Sequence, residues 1–592
     1  MVTLRKANRL EKRSKRRKTI AAHSTEDPPT LRVAVRQDGV KFLAEDTSAP
    51  KSPYHVMCAD LPKARLALLA NDTPMPQRMA AIHLVRLVLS HDFIPDPERT
   101  QVQPEEPPVA HIVNGGFVPI ILMGMTMDGL PVYQTECAWA LTNILSTTIN
   151  RECIPKVMLT QIEKQTPTGT VKLSPYQIML PLLDPPNVSG LKTSTKLRDQ
   201  VIWAIANVMG EGDLYRDSFI KLGVLPKIMA ILNIPPGPAA ADVFCRRCAS
   251  QLFCNACRKW DRVPPIDQVM HLLPYIANLL KVTDPETRED AIWALCYLTD
   301  QDEAFEPVID AGLVQFVAES YILADRSICT QLGCARFMGN ISNGSTEQVM
   351  SIVRAGALPK LRRLLRLHKD MEIKQEVMWL VANMCADSQM CLQEVIKAEF
   401  FPVVLEQMAT GDLGMVYEGM WIFSNAVGMA NAQQAVALIN PGGLVKYFQT
   451  GGPMPPSVVP AIYQAMSQKG TSVDIVTVCL STLDAVLEHG KKNAASTGGR
   501  NVCCTFVERL GILPIVENLQ NHKNTDIYKR ALEILETYFD IEETEGEVVP
   551  ESRRQQPQGG GGFQQPQGGG GGGGFDDDGD FSMRANPDDY TF

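Results

Sequence analysis

Residues 203–207 read Trp203-Ala-Ile-Ala-Asn207, and the block returns six more times along the chain. Its other copies are Trp139-Ala-Leu-Thr-Asn143, Gln251-Leu-Phe-Cys-Asn255, Trp293-Ala-Leu-Cys-Tyr297, Arg336-Phe-Met-Gly-Asn340, Trp379-Leu-Val-Ala-Asn383 and Trp421-Ile-Phe-Ser-Asn425. Their first positions are spaced by 64, 48, 42, 43, 43 and 42 residues. A period near 42 with helical content is the mark of an armadillo or HEAT array, in which each unit buries its apolar face only against its neighbours. The 64-residue step holds one repeat and an insertion, placed at the polar, Pro-containing stretch 161–175 and predicted to be a loop. The chain is therefore read as all-α: a right-handed armadillo-repeat solenoid of about ten repeats.

A second element punctuates the same period. Gly116-Phe-Val-Pro119, Gly223-Val-Leu-Pro226, Gly312-Leu-Val, Gly356-Ala-Leu-Pro359, Gly443-Leu-Val and Gly511-Ile-Leu-Pro514 each join a glycine to an apolar pair. Glycine suits the left-handed residue that ends one helix, and proline suits the first turn of the next, so each block predicts a sharp helix-to-helix corner.

Five of the six tryptophans occupy the ladder register, four of them with Asn at i+4 on the same helix face. Packing is the ordinary fate of aromatics at this spacing. Yet buried amides would each need a partner, so the reading favours a surface ladder. Equivalent helices stack about 8–10 Å apart, which sets a Trp column beside an Asn column on a concave face. Asn amides offer donor and acceptor to the main chain of an extended peptide. Neighbouring indoles form slots for the stems of Lys or Arg, with cation–π attraction of about 0.5–2 kcal/mol. Glu211, Asp290, Glu376 and Glu418 flank the blocks as candidate charge selectors. Gln251 and Arg336 replace Trp, and Tyr297 replaces Asn, leaving complete pairs in two clusters, 139–207 and 379–425. About 11–12 extended residues bridge Trp203 and Trp379. One ligand with two basic clusters fits that span, and a cation such as Arg336 between them disfavours a basic linker.

Charge agrees. The 592 residues carry a net −9, but residues 1–20 alone hold Arg5, Lys6, Arg9, Lys12, Arg13, Lys15, Arg16, Arg17 and Lys18 against Glu11. A cationic arm on an acidic body favours basic partners, the arm among them. The division expected is an arm at 1–20, a linker at 21–55, repeats at 56–548 and a disordered Gln/Gly-rich acidic tail at 549–592. No run of eighteen apolar residues indicates a membrane helix. Fifteen cysteines without a regular framework read as reduced intracellular thiols. Cys245, Cys248, Cys254 and Cys257 imitate a zinc set, but pairs this close within one repeat helix read as packing. Neither a phosphate-binding loop nor a hydrolase elbow occurs, so no catalytic residue, metal or cofactor is assigned, and the chain reads as a binding protein and not an enzyme.

Over residues 56–548 the chain resembles the importin-α family. The likeness rests on Leu197-Arg-Asp-Gln-Val-Ile-Trp203-Ala-Ile-Ala-Asn207, Ala291-Ile-Trp293-Ala-Leu-Cys-Tyr297-Leu-Thr-Asp300, Tyr528-Lys-Arg-Ala-Leu-Glu-Ile-Leu-Glu-Thr-Tyr-Phe539 and the irregular order of Trp, Tyr and Arg along the ladder. The resemblance implies a nuclear import adaptor that binds Lys/Arg-rich localisation signals, mono- or bipartite. It implies a major site at Trp139, Asn143, Gln200, Trp203, Asn207, Glu211 and Asn255. A minor site follows at Arg336, Asn340, Glu376, Trp379, Asn383, Glu418, Trp421 and Asn425, with Asp290, Trp293 and Tyr297 between. Leu4–Lys18 resembles the distal half of the family's importin-β-binding segment, the other half falling ahead of Met1, so a shortened segment is expected. That segment is also the expected autoinhibitor. Further implied partners are importin-β and, at the C-terminal repeats around 528–547, an export receptor with Ran. Shuttling between cytoplasm and nucleus follows, with no direct nucleic-acid or membrane partner. The alternative reading is an armadillo scaffold for signalling or adhesion partners.

Overall fold

The computed structural model describes residues 58–90, 108–146, 151–184, 194–233, 239–324, 327–494 and 499–539. The basic arm, the linker and the Gly-rich tail lie outside the described residues. Ten long helices carry the repeat: α1 (Met75–Leu89), α2 (Pro131–Leu145), α3 (Thr195–Met209), α4 (Ala239–Cys257), α5 (Pro285–Leu298), α6 (Ile328–Ile341), α7 (Met371–Asp387), α8 (Leu413–Met429), α9 (Val473–Lys492) and α10 (Thr525–Tyr538). Each packs along the next, α1 on α2 through to α9 on α10. This is an armadillo-repeat solenoid, with shorter helices filling the intervals. Its buried apolar residues form one continuous core from Leu61 to Leu535.

Local chemistry starts these helices where the sequence supplies a side-chain acceptor. Ser194, Asp284, Ser327, Asp370, Asp412, Ser472 and Asn524 cap the first turns of α3 and of α5 to α10, each accepting from a free backbone N–H. Asp284 also takes a bidentate pair from Arg247 of α4 at 2.5–3.1 Å, tying one repeat's start to the preceding repeat.

Five of the six glycine corners take the left-handed conformation, with φ between +65° and +82° at Gly116, Gly223, Gly312, Gly356 and Gly511. The sixth differs. Gly443 lies inside helix Pro441–Thr450, and the corner residue is Asn440, at φ +50°. Asn tolerates that region, and here its Oδ1 also accepts from the Gly443 N–H at 3.1 Å. A further corner has no glycine at all: Glu399, at φ +55°, precedes Phe400-Phe-Pro402.

The insertion is not a loop. Residues 162–173 form an antiparallel hairpin, β1 (Ile162–Thr166) with β2 (Gly169–Leu173), in register Ile162↔Leu173 and Thr166↔Gly169. It stands between helices Cys153–Leu159 and Pro175–Met179, where other repeats turn on a single left-handed residue. The β-branched Ile162, Thr166, Thr170 and Val171 and a Pro-Thr-Gly turn explain the strand choice.

Candidate functional site

The register of the ladder places Trp139 on α2, Trp203 on α3, Gln251 on α4, Trp293 on α5, Arg336 on α6, Trp379 on α7 and Trp421 on α8. Geometry adds one step that spacing hides: His83 of α1 precedes Trp139 by 56 residues, and Asn143 reaches back to α1.

The amides have partners, and those partners correct the surface reading. Asn255 Nδ2 donates to Ala206 O at 2.7 Å, Asn340 to Cys296 O at 2.9 Å, Asn425 to Ala382 O at 3.0 Å and Asn143 to Arg86 O at 3.4 Å. Each acceptor sits one residue before the corresponding position of the preceding ladder helix. The Asn column is therefore first a seam between repeats, which is how an amide can be buried beside Trp. Asn383 uses Ser342 Oγ and Asn343 Oδ1 instead, both at 3.0 Å. Asn207 is the exception: fully buried, it accepts from Gln251 Nε2 at 3.2 Å through Oδ1, while its Nδ2 has no partner. Gln200 Oε1 and Trp203 Nε1, on the same face of α3, are buried and unpartnered as well.

Exposure divides the tryptophans. Trp139, Trp203 and Trp293 are 8%, 1% and 9% exposed, so a uniform surface ladder does not hold in this half. Trp203 packs edge-on at 5.8 Å against Phe244 of α4, the helix on which Gln251 replaces the ladder tryptophan. Trp293 lies against Tyr297 at 5.8 Å. Trp379 is half-buried, and Trp421 is 39% exposed with Tyr417 edge-on at 6.3 Å.

Carboxylates stand three residues before four of the five indoles, on the same helix face: Glu136, Asp290, Glu376 and Glu418. Before Trp203 the position is Gln200. Among the described residues, two of these steps contain a cation of the chain itself. Arg86 lies 4.0 Å over the Trp139 ring, its Nε donating to Glu136 at 2.8 Å. His83 Nδ1 is 3.1 Å from both Glu136 and Arg86. Burial alone would raise the Glu136 pKa, but the His83 hydrogen bond and the Arg86 charge outweigh it and hold the carboxyl below its usual range. Likewise Arg336 lies 4.9 Å over the Trp379 ring and donates to the wholly buried Glu376 at 3.2–3.4 Å. Burial works against the Arg336 charge, while Glu376 and Asp300 more than restore it.

The remaining acids are placed as follows. Glu211, just beyond α3, pairs with Arg151 at 3.4 Å. Asp290 accepts from Ser250 Oγ at 3.2 Å. Glu418 is buried beside Trp421. Sequence reading missed Arg86, Glu136 and His83, along with the sixth tryptophan, Trp260, over which Arg258 lies at 3.8 Å. It also missed Gly339, whose bare Cα makes room for the Trp379 ring. Cys245, Cys248, Cys254 and Cys257 all lie on α4, buried in the core. Among the described residues no helix is long and apolar enough to cross a membrane, and no group of three or more candidate ligands is placed to hold a metal ion.

Comparison with known proteins places this arrangement. An armadillo/beta-catenin-like repeat model matches residues 262–300 and 345–386, and an atypical armadillo repeat model matches 501–552. Importin subunit alpha-1a of Oryza sativa subsp. japonica is 30% identical over 439 residues, 74% of this chain and 74% of the relative. Importin subunit alpha-2 of Arabidopsis thaliana is 30% identical over 442 residues, again 74% of each. Among solved structures, an engineered protein covers 80% of this chain and 98% of its own at a TM-score of 0.60 and 18% identity, a likeness of fold. With its repeats, its interrupted ladder and relatives of this identity and coverage, the chain belongs to the importin-α family of armadillo-repeat nuclear import adaptors.

Proposed function

We propose that the ladder face of α2 to α8 binds Lys/Arg-rich nuclear localisation signals and that the chain links such cargo to importin-β. The observation that carries this reading is the pair of internal cations. At two steps among the described residues an arginine lies over the ladder indole and pairs with the carboxylate three residues before it: Arg86 with Trp139 and Glu136, Arg336 with Trp379 and Glu376. A ligand's Lys or Arg needs the same two contacts, a π face and an anion. Trp139, Asn143, Gln200, Trp203, Asn207, Glu211 and Asn255 form one cluster of this face. Arg336, Asn340, Glu376, Trp379, Asn383, Glu418, Trp421 and Asn425 form the other, and Asp290, Trp293 and Tyr297 lie between them.

Calorimetry of the full chain with a bipartite basic peptide tests the reading, against a control in which every Lys and Arg is Ser. Saturable binding of the basic peptide alone, weakening as salt rises, is the expected result. Equal binding of the control refutes it. The arm, from Arg5 to Lys18, serves in this reading both as the importin-β handle and as an internal competitor for the ladder. Deleting residues 1–20 should then tighten peptide binding at low salt and abolish importin-β capture; unchanged peptide affinity would leave the arm only the first role. The export receptor with Ran at the last repeats, and residence in both cytoplasm and nucleus, belong to the same proposal. An armadillo scaffold for signalling or adhesion partners is not favoured by any observation at the ladder.

A further inference from the structure

We infer that the exposed stripe of helix Ala357–Leu367, centred on Arg363 and Leu367, is a docking surface for an acidic amphipathic helix of a partner protein. The helix lies outside the ladder register, and the inference does not depend on what the ladder binds.

Composition singles this helix out. Residues 354–369 hold Arg354, Lys360, Arg362, Arg363, Arg366 and Lys369 and no Asp or Glu, in a chain of net charge −9. The helices that follow the other left-handed corners are different. Phe117–Met125, Leu313–Ser320, Phe400–Met408 and Ile512–Leu519 contain no Lys or Arg, and Val224–Leu232 and Pro441–Thr450 contain one each. Packing asks the same of all these helices. Arg366, in the last turn, also suits the helix dipole, but Arg362 and Arg363 stand too far from the end for that.

The fold then sorts the cations. Ala357, Leu358, Leu361, Leu364 and Leu365 sink into the core. Pro359, Arg363 and Leu367, four residues apart, form the stripe left to solvent, with Leu367 64% exposed. Arg362 and Arg366 flank it, and each is bonded to a carboxylate of the next repeat, Glu399 at 2.5 Å and Glu406 at 3.2 Å. Glu399 is the corner residue at φ +55°, so the chain bears a strained backbone at the position that supplies one of these acids. Arg363 and Lys369 are exposed and make no ion pair or hydrogen bond among the described residues.

This surface calls for an anion, and its details choose which. Both flanking arginines already hold side-chain carboxylates at i, i+4 spacing, the spacing that a helix with Glu or Asp four apart returns. Leu367 beside Arg363 offers an apolar contact that a phosphate backbone does not use, and no aromatic ring stands in the stripe to stack a base. A bilayer needs a broad apolar face, and here that face is spent on the core. Rigid arginines around one open leucine match an acidic helix with an apolar residue between its carboxylates.

The test measures, by fluorescence anisotropy at low salt, binding of the full chain to a labelled helical peptide of about 18 residues carrying Glu at i and i+4 around Leu. The basic arm also attracts acid, so the result is read from variants that share it. Arg363→Glu should weaken binding about 5–10-fold, the scale of one exposed charge reversed, and Leu367→Ala about threefold. Lys523→Glu, an equally exposed cation elsewhere, should stay within about twofold. Because Arg363 and Leu367 are exposed, circular dichroism melts should be unchanged. Equal losses through Arg363→Glu and Lys523→Glu, or no effect of Leu367→Ala, overturn the inference. So does an Arg363-dependent affinity for phosphatidylserine vesicles or a DNA duplex that exceeds the affinity for the peptide.

Discussion

Replacing Gly339 by Ala tests how the ladder seats its indoles. Gly339 lies on α6, one residue before Asn340, and a Cβ built there meets Trp379 Cζ3 at 2.5 Å and Cε3 at 2.7 Å. Carbon contacts are comfortable at about 3.5–4.0 Å, so the ring must retreat by about 1 Å. Two effects then oppose each other. Ala in place of Gly favours the helix by about 1 kcal/mol, while overpacking costs about 1–3 kcal/mol. The net loss should be about 0–2 kcal/mol, too small to unfold the chain. The displaced ring is also withdrawn from the ligand cation that the proposed function seats on it in competition with Arg336, now 4.9 Å from its face. A bipartite basic peptide should consequently bind about 3–30-fold more weakly, the range of one cation–π contact. Urea unfolding followed by circular dichroism measures the first quantity, and calorimetry the second. Gly428→Ala on α8 is the control, because a Cβ there meets nothing within 4 Å. It should only stabilise, by up to about 1 kcal/mol. If Gly339→Ala behaves like Gly428→Ala in both assays, the ring does not depend on this glycine.

Glu136→Gln should cost about 3–5 kcal/mol at pH 7, since it leaves Arg86 buried without its anion. The folded pKa of Glu136 lies below its usual value, so its stabilisation is complete above the unfolded value and disappears as pH falls through the folded one. Thermal melts should therefore show the parent weakening below about pH 4, with part of that slope missing in the variant. Asn340→Ala removes the 2.9 Å bond to Cys296 O and should cost about 1–3 kcal/mol, whereas Asn207→Ala, which removes an unpartnered Nδ2 and only the bond its Oδ1 accepts from Gln251, should cost less. Equal losses in urea unfolding would mean that the carbonyl seam does not hold the repeats together.

The repeat was legible because the ladder helices recur at a nearly fixed interval and because five of the corners use glycine. Where the corner residue is Glu399 or Asn440, the glycine signal is missing or points to the wrong residue, as at Gly443. The first ladder step was hidden by its own spacing, 56 residues from His83 to Trp139. Burial of the tryptophans was not legible, for a specific reason. A surface ladder follows from the sequence only if a buried amide has no partner to find. Its partner is a main-chain carbonyl of the preceding repeat, and no side-chain pattern encodes that. The strands at 162–173 were masked by a charged and polar composition that also suits a loop. Of the site residues proposed from sequence, the acids at 376 and 418 stand beside the partly open indoles, while Trp203 and Asn207 belong to the core.

The two columns of the ladder divide their work differently along the chain. The Asn column binds repeat to repeat wherever its Nδ2 reaches the preceding helix, so its donors are committed before any ligand arrives. What remains for recognition is the second column, Trp with a carboxylate three residues earlier, and there the chain's own arginines compete with a ligand. Arg86 is locked by a buried acid and a histidine; Arg336 is partly exposed, bonded to Glu376 and attracted by Asp300. A ligand cation should therefore displace Arg336 from Trp379 more readily than Arg86 from Trp139. Steps built on repeated residues thus differ from one another, and the differences come from residues outside the repeat register: Arg86, one before the Asn-equivalent position of α1, Phe244 against Trp203, and Arg151 on Glu211.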